Sequence, residues 1–298
     1  MNSPENQLKK SGLVTLVGRS NVGKSTLLNT IIGTKIAAVT DKPQTTRNAI
    51  HGVLNRPASP AGGPEGQAVF IDTPGVFKNH SSPLSGALLE HVQESIKHID
   101  LIVYVVDPTK PIGSEERYIM SLIRNIEVPK ILVINKSDIH EKEKEFLEDY
   151  KSLGDDFAAV FELSALRARH IEPLIQKVLE LLPVGEPLYP PDQLTNIDKN
   201  FWVAELIREK IFLALRKEVP YSTHVEVENI EDKTDIFVVK ARVLTYNKKY
   251  KEMIIGKGGR AIKEIGIAAR KELEQALGKK VYLELEVEYD RHWIDRVA

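Results

Sequence analysis

The residues best suited to chemistry form a short run near the start, "GRSNVGKST", Gly18 to Thr26. Gly18-Arg19-Ser20-Asn21-Val22-Gly23-Lys24-Ser25 has the spacing G-x-x-x-x-G-K-[ST] of a phosphate-binding loop. Its glycines let the backbone wrap so that successive N–H groups face phosphate oxygens, and the helix that opens behind it adds positive potential. Lys24 would bridge the β- and γ-phosphates of a nucleoside triphosphate, and the Ser25 hydroxyl would ligate Mg²⁺. Ser20, Asn21, Val22 and Thr26 complete the lining of the loop.

Two further segments fit the same ligand. Asp72-Thr73-Pro74-Gly75 ends the apolar run "AVFID". Asp72 would hold Mg²⁺ through water, and the Gly75 N–H would sense the γ-phosphate. Asn135-Lys136-Ser137-Asp138 ends another apolar run. The Asp138 carboxylate can accept two hydrogen bonds from guanine N1 and N2, a donor pair that adenine lacks. Sites built on such bonds reject the wrong partner by roughly 10⁴–10⁵. Lys136 would lay its stem over the base, and Asn135 would tie this loop to the phosphate loop. Ser164-Ala165 follows "AAVFEL", where the Ala165 N–H could donate to guanine O6.

A second glycine run, "IIGKGGRAIKEIG", holds Gly256-Lys257-Gly258-Gly259. A G-x-x-G alone specifies nothing, and Gly63 to Gly66 is another. This one sits between two helical segments, the arrangement with which KH modules clamp the backbone of about four nucleotides. Arg260 and Lys263 follow it. From Lys240 to Lys271 the chain carries Lys240, Arg242, Lys248, Lys249, Lys251, Lys257, Arg260, Lys263, Arg270 and Lys271 against Glu252 and Glu264. Such a surface can replace the counterions condensed on a nucleic acid. The loop has no serine for a metal, so it grips a polymer backbone where the first grips a free nucleotide.

The elements that must position these residues follow from the pattern. "LVTLVG" from Leu13, "AVFIDTPG" from Ala68, "LIVYVVD" from Leu101 and "KILVINKSD" from Lys130 are brief, β-branched and end in turn residues or charge. Helices are expected between them at Lys24–Ile32, Pro83–Lys97, Ser114–Asn125, Lys142–Leu153 and Ile171–Leu182. The alternation predicts an α/β fold of the P-loop NTPase kind, a mostly parallel sheet with helices on both faces and the ligand beyond the carboxyl ends of its strands. The Pro/Gly-rich Asn55–Gly66 reads as a hairpin loop. Leu182–Ile197, with four prolines and no apolar period, reads as a linker. Beyond it the order α-β-β-α-α-β predicts a smaller α+β domain. The expected division is 1–182, a linker at 183–197, and 198–298.

The 298 residues suffice for roughly two domains. Net charge is −1, from 41 basic and 42 acidic residues, so only local charge can speak for nucleic acid. The absence of cysteine excludes disulfides, thiolate metal sites and cysteine nucleophiles. The polar start lacks a signal-peptide core. "LIVYVV" is far short of the ~20 apolar residues of a membrane span. A cytoplasmic monomer is expected; peripheral membrane contact, for instance through the helix from Phe201 to Leu215, stays open.

The set "GRSNVGKST…QTTR…DTPG…NKSD…SA" resembles the translation-factor-related GTPases, and the Era family in particular. The α-β-β-α-α-β half is similar to the second topological type of KH domain. The resemblance spans nearly the whole chain. It implies GTP and GDP as ligands with Mg²⁺, and the 3′ end of small-subunit ribosomal RNA as partner. It also implies a switch that assists maturation of the small ribosomal subunit. It places Gln44–Arg47 in the first switch, with Thr46, or else Thr45, closing over Mg²⁺. Lys24, Thr46 and Gly75 then form the hydrolytic set. In related GTPases an asparagine at the Asn21 position ligates K⁺; here that reading stands beside a cap on a backbone turn. Val76 stands where many GTPases place a water-orienting glutamine. Unassisted turnover of about 10⁻⁴–10⁻² s⁻¹ is therefore expected. The chief rival is a signalling or membrane-associated GTPase whose second domain binds protein. A P-loop kinase using ATP is disfavoured by Asp138.

Overall fold

The structure is a computed structural model, and it describes residues 9–40, 49–57, 64–73, 98–216 and 218–294. The expected helix Pro83–Lys97, and Thr45, Thr46, Gly75 and Val76, lie outside the described residues. The chain divides into two compact units, Met1–Gly33 with Thr46–Asn196, and Thr34–Thr45 with Ile197–Ala298.

The first unit is built on a six-stranded sheet ordered β2-β3-β1-β4-β5-β6. Its strands are β1 (Lys10–Val17), β2 (Ile50–Arg56), β3 (Gly66–Asp72), β4 (Leu101–Val106), β5 (Lys130–Ile134) and β6 (Ala159–Glu162). Among the described strands of this sheet β2 alone runs antiparallel to its neighbour, and the nine residues between β2 and β3 are too few for a crossover connection. Every residue of β3 and β4 is buried, as strands covered on both faces require. Among the described residues its helices are α1 (Lys24–Ile32), α2 (Ser114–Arg124), α3 (Leu147–Lys151) and α4 (Ile171–Leu181).

The helix expected at Lys142–Leu153 is shorter. A 3₁₀ turn at Glu141–Glu143 precedes α3, and between them the chain turns inward. There the Phe146 N–H bonds to the Pro108 carbonyl at 3.1 Å, and the Lys144 ammonium to the Ser137 carbonyl at 3.1 Å. The Phe146 ring packs against the buried cluster that includes Tyr104, Leu132 and Tyr150. The proline-rich stretch after Leu182 is held by the first unit. Gln67 Oε1 accepts from the Leu188 and Tyr189 N–H groups, and the Val53 N–H donates to the Leu194 carbonyl. It runs along β2 because an edge strand offers unpaired backbone groups.

In the second unit, β7 (Thr223–Asp232), β8 (Ile236–Thr245) and β9 (Lys280–Tyr289) form a sheet in that order, β7 antiparallel and β9 parallel to β8. The helices α5 (Lys199–Ala214), α6 (Lys248–Ile255) and α7 (Arg260–Leu277) complete the expected α-β-β-α-α-β order. One core joins Val203, Ile207 and Ile211 of α5 to Phe237, Val239, Ala241 and Val243 of β8 and to Ile265, Ala269 and Leu273 of α7. The apolar stripe of α5 is therefore committed to this core. Among the described residues no helix is long and apolar enough to cross a membrane.

Candidate nucleotide and RNA sites

The first loop lies between the carboxyl end of β1 and α1, where a parallel sheet exposes strand ends and helix N-termini together. The Lys24 side chain is buried and donates to the Gly18 and Arg19 carbonyls, both at 3.0 Å. Burial pushes its ammonium down to about 8, against the pull of the nearby Asp72. Ser25 Oγ donates to Asp72 Oδ2 at 2.5 Å. A hydroxyl and a carboxylate, hard oxygen donors of the kind magnesium prefers, thus meet beside a buried cation. Thr73 fixes the end of β3 by donating to the Leu16 carbonyl at 2.8 Å.

Asn135 joins three loops. Its Nδ2 donates to the Val22 carbonyl at 2.8 Å, and its Oδ1 accepts from the Ala165 N–H at 2.9 Å. A Cβ on Gly23 would lie 2.3 Å from that Nδ2, and Gly23 has φ +101°, so the position admits only glycine. Asp138 accepts from the buried Ser164 hydroxyl, and Ser164 Oγ accepts from the Arg167 N–H at 3.1 Å. The phosphate loop, Asn135–Asp138 and Ser164–Ala165 are brought together at one end of the sheet. Asn21 takes a left-handed φ of 63°. Ser20 Oγ is buried without a hydrogen-bond partner among the described residues. The Thr26 carbonyl accepts from Thr30, whose hydroxyl also reaches the Ala165 carbonyl at 2.8 Å.

Two acids in this neighbourhood escaped the sequence reading. Asp107 accepts from Lys136 Nζ at 2.6 Å and from the Thr109 N–H and hydroxyl. Burial works to raise its carboxyl, but Lys136 and Thr109 hold it below the usual range. Its signal was the charge ending "LIVYVVD". Glu116, buried on α2, pairs with Arg19 of the phosphate loop at 2.8 Å. Nothing in the local spacing marks that pair.

In the second unit, Gly256 ends α6 and Gly259 caps α7. A Cβ on Gly256 would lie 2.8 Å from the Ala261 Cβ and 2.9 Å from the Ala261 N, so the loop closes tightly on the start of α7. Above Gly258 and Gly259 a Cβ would meet nothing within 4 Å, which leaves their backbone open to approach. Lys257, Arg260 and Lys263 are exposed around the loop, and Arg260 pairs with Glu264 at 2.9 Å.

Lys240 and Arg242 do not belong to this basic surface. On β8 they alternate with the core residues Val239, Ala241 and Val243 and so project from the opposite face. There Arg242 pairs with Glu226, Glu228 and Glu288, and Lys240 with Glu284. Linear charge counting missed the glutamates that neighbouring strands deliver. Trp293 is buried and lies parallel to the His224 and Tyr246 rings, while Tyr250 packs against the core.

Two family models match the chain. A family model described as a 50S ribosome-binding GTPase matches residues 13–136, and a KH-domain model matches residues 218–294. GTPase Era of Trichlorobacter lovleyi is 43% identical over 293 residues, covering 97% of this chain and 95% of the relative. The chain belongs to the Era family. GTPase Era of Halothermothrix orenii is 38% identical over 289 residues, with 96% and 95% covered. A crystal structure of an Aquifex aeolicus Era variant bound to GDP·AlF₄⁻ superposes with a TM-score of 0.86 at 35% identity and 96% coverage of each chain. A structure of Era in complex with MgGDPNP and nucleotides 1506–1542 of 16S ribosomal RNA gives 0.86 at 34% identity, covering 97% of this chain and 96% of that one. Membership of the Era family makes the chain a GTPase, with a mostly parallel G-domain sheet followed by a KH domain.

Proposed function

We propose that this GTPase binds GTP with Mg²⁺ in the first unit and the 3′ end of small-subunit ribosomal RNA in the second. On this reading it acts in the cytoplasm as a checkpoint in maturation of the small subunit. The observation that carries the nucleotide half is the Asn135 bridge, which brings the phosphate loop to the residues that would read guanine. Asp138 accepts from N1 and N2 of the base, and the Ala165 N–H donates to O6. Lys24, held at the mouth of the loop, turns from the Gly18 and Arg19 carbonyls to the β- and γ-phosphates. Ser25 and Asp72 would hold the magnesium ion, which when bound neutralises charge on the transferring phosphoryl group. By family resemblance Thr46 closes over the same site and the Gly75 N–H senses the γ-phosphate. Residues 1–182 would form the nucleotide part and 198–298 the RNA part, joined by 183–197.

The RNA half is supported by the open backbone at Gly258–Gly259, the exposed Lys257, Arg260 and Lys263, and the relative crystallised with a 16S fragment. The test is twofold. Calorimetry should show GTP bound and ATP excluded. A gel-shift assay should show a salt-dependent complex with a small-subunit 3′-end oligonucleotide. Equal affinity for ATP would overturn the nucleotide reading, and indifference to the oligonucleotide would overturn the RNA reading.

A further inference from the structure

The phosphate loop is fastened at both shoulders. Its far shoulder is the Val22 carbonyl, which accepts from Asn135. Its near shoulder begins at Gly18, where a Cβ would overlap the Val105 carbonyl, so the backbone lies directly on β4. Arg19 comes next, and its Nε–H donates to Glu116 Oε1 of α2 at 2.8 Å. Only Ser20 and Asn21 stand between the two fastenings.

Glu116 is a fixed post. Its side chain is 3% exposed and held from two further sides. Oε2 accepts from the Gly113 N–H at 3.1 Å, at the start of α2. Oε1 also accepts from the Tyr150 hydroxyl of α3 at 3.4 Å, and Tyr150 is buried in one apolar cluster with Tyr104, Ile119 and Ile123. A buried ion pair adds little stability over an apolar pair of similar size. What this pair adds is direction, because a planar guanidinium bonds along fixed N–H vectors. The direction matters at the Arg19 backbone. The Arg19 and Gly18 carbonyls hold the Lys24 ammonium, both at 3.0 Å. The cation that would meet the β- and γ-phosphates thus rests on the peptide that Glu116 orients.

We infer that Glu116 is a positioning residue for GTP hydrolysis, acting through Arg19 to set the arm of the phosphate loop that borders the outer phosphates. This rests on the nucleotide reading above. The two fastenings then divide the work. Asn135 serves the end that reads the base, and Glu116 serves the end where the γ-phosphate reacts. Loss of Glu116 should therefore slow hydrolysis more than it loosens GDP, which has no γ-phosphate.

The experiment uses the full chain with Glu116→Gln, Arg19→Met and the double variant. It measures single-turnover hydrolysis at saturating GTP, GDP affinity and melting temperature. A misplacement of about 1 Å can cost about 10²-fold, so each single variant should hydrolyse about 10–100-fold more slowly, with GDP affinity within about threefold. Arg19→Met strands a buried carboxylate without its cation and should melt lower, whereas the double variant removes both charges and should regain much of that loss. Hydrolysis in the double variant should nonetheless stay at the level of the slower single variant, because the two residues act as one unit. Normal hydrolysis in Glu116→Gln, an equal loss of GDP affinity, or hydrolysis that recovers with the melting temperature in the double variant overturns the inference and leaves the nucleotide reading intact. Failure of the natural chain to bind GTP overturns that reading itself.

Discussion

Replacing Asn135 with alanine removes two buried hydrogen bonds at once. The Val22 carbonyl loses its donor at 2.8 Å and the Ala165 N–H its acceptor at 2.9 Å, at a residue 3% exposed. A buried polar group left without a partner costs about 1–3 kcal/mol, so the two together cost about 2–6 kcal/mol. Because the bridge joins segments that must meet the same nucleotide, much of that cost should appear in binding. A loss of about 2–4 kcal/mol corresponds to GDP affinity lower by about 30- to 1000-fold. Asn135→Asp is the sharper probe. It keeps the acceptor for the Ala165 N–H but turns a carboxylate oxygen toward the Val22 carbonyl. At pH 7 it should bind more weakly than the alanine variant. Titration with a fluorescent GDP analogue measures affinity, and thermal melting without nucleotide measures the cost to the fold. Affinity within about threefold of the natural chain in Asn135→Ala, with an unchanged melting temperature, would refute the reasoning.

Other consequences can be checked alongside. Asp138→Asn replaces an acceptor by a donor opposite guanine N1 and N2. GTP affinity should fall by about 10²–10⁴-fold, from about 1.5–3 kcal/mol for each bond to a charged group, while xanthosine triphosphate, with a C2 carbonyl, should gain. Lys24, lowered to about 8 by burial, must be charged to hold phosphate. As pH rises past that value, binding must take up a proton, so GTP affinity should fall by up to about tenfold per pH unit. Lys24→Met should show a flatter profile from pH 7 to 9. The double variant Lys257→Ala, Lys263→Ala alters only exposed side chains. It should weaken RNA binding and reduce the slope of log affinity against log salt by about 1.4, at about 0.7 per single-strand phosphate contact. Single-turnover hydrolysis without partners should run at about 10⁻⁴–10⁻² s⁻¹. It should slow further when Na⁺ replaces K⁺ if Asn21 ligates the ion.

What the sequence disclosed was what physics encodes locally. β4 is buried on both faces, so its code is an unbroken apolar run that any window detects. The phosphate loop is a single contiguous turn, and its residue types follow from backbone geometry alone. The helix expected at 142–153 was misjudged because its interruption is tertiary: Phe146 turns inward to a core assembled from distant strands. Glu116 reaches Arg19 across 97 positions of chain, and no spacing rule spans that distance. Lys240 and Arg242 were assigned to the wrong face because a strand alternates sides, whereas a linear tally of charge does not. The proline-rich stretch after Leu182 lacks periodicity whether it floats or lies along an edge strand, and only the neighbouring Gln67 distinguishes the two.

The segregation of charge across the second unit governs how it meets a strand. One side of its sheet carries lysines and arginines on helices, and the reverse side carries glutamates that enclose Arg242 and Lys240. A polyanion drifting toward the reverse side is turned away before contact. One drifting toward the helices is drawn in. A near-neutral molecule thereby avoids the indiscriminate stickiness of a basic protein amid abundant cellular RNA, yet still receives its target in one orientation.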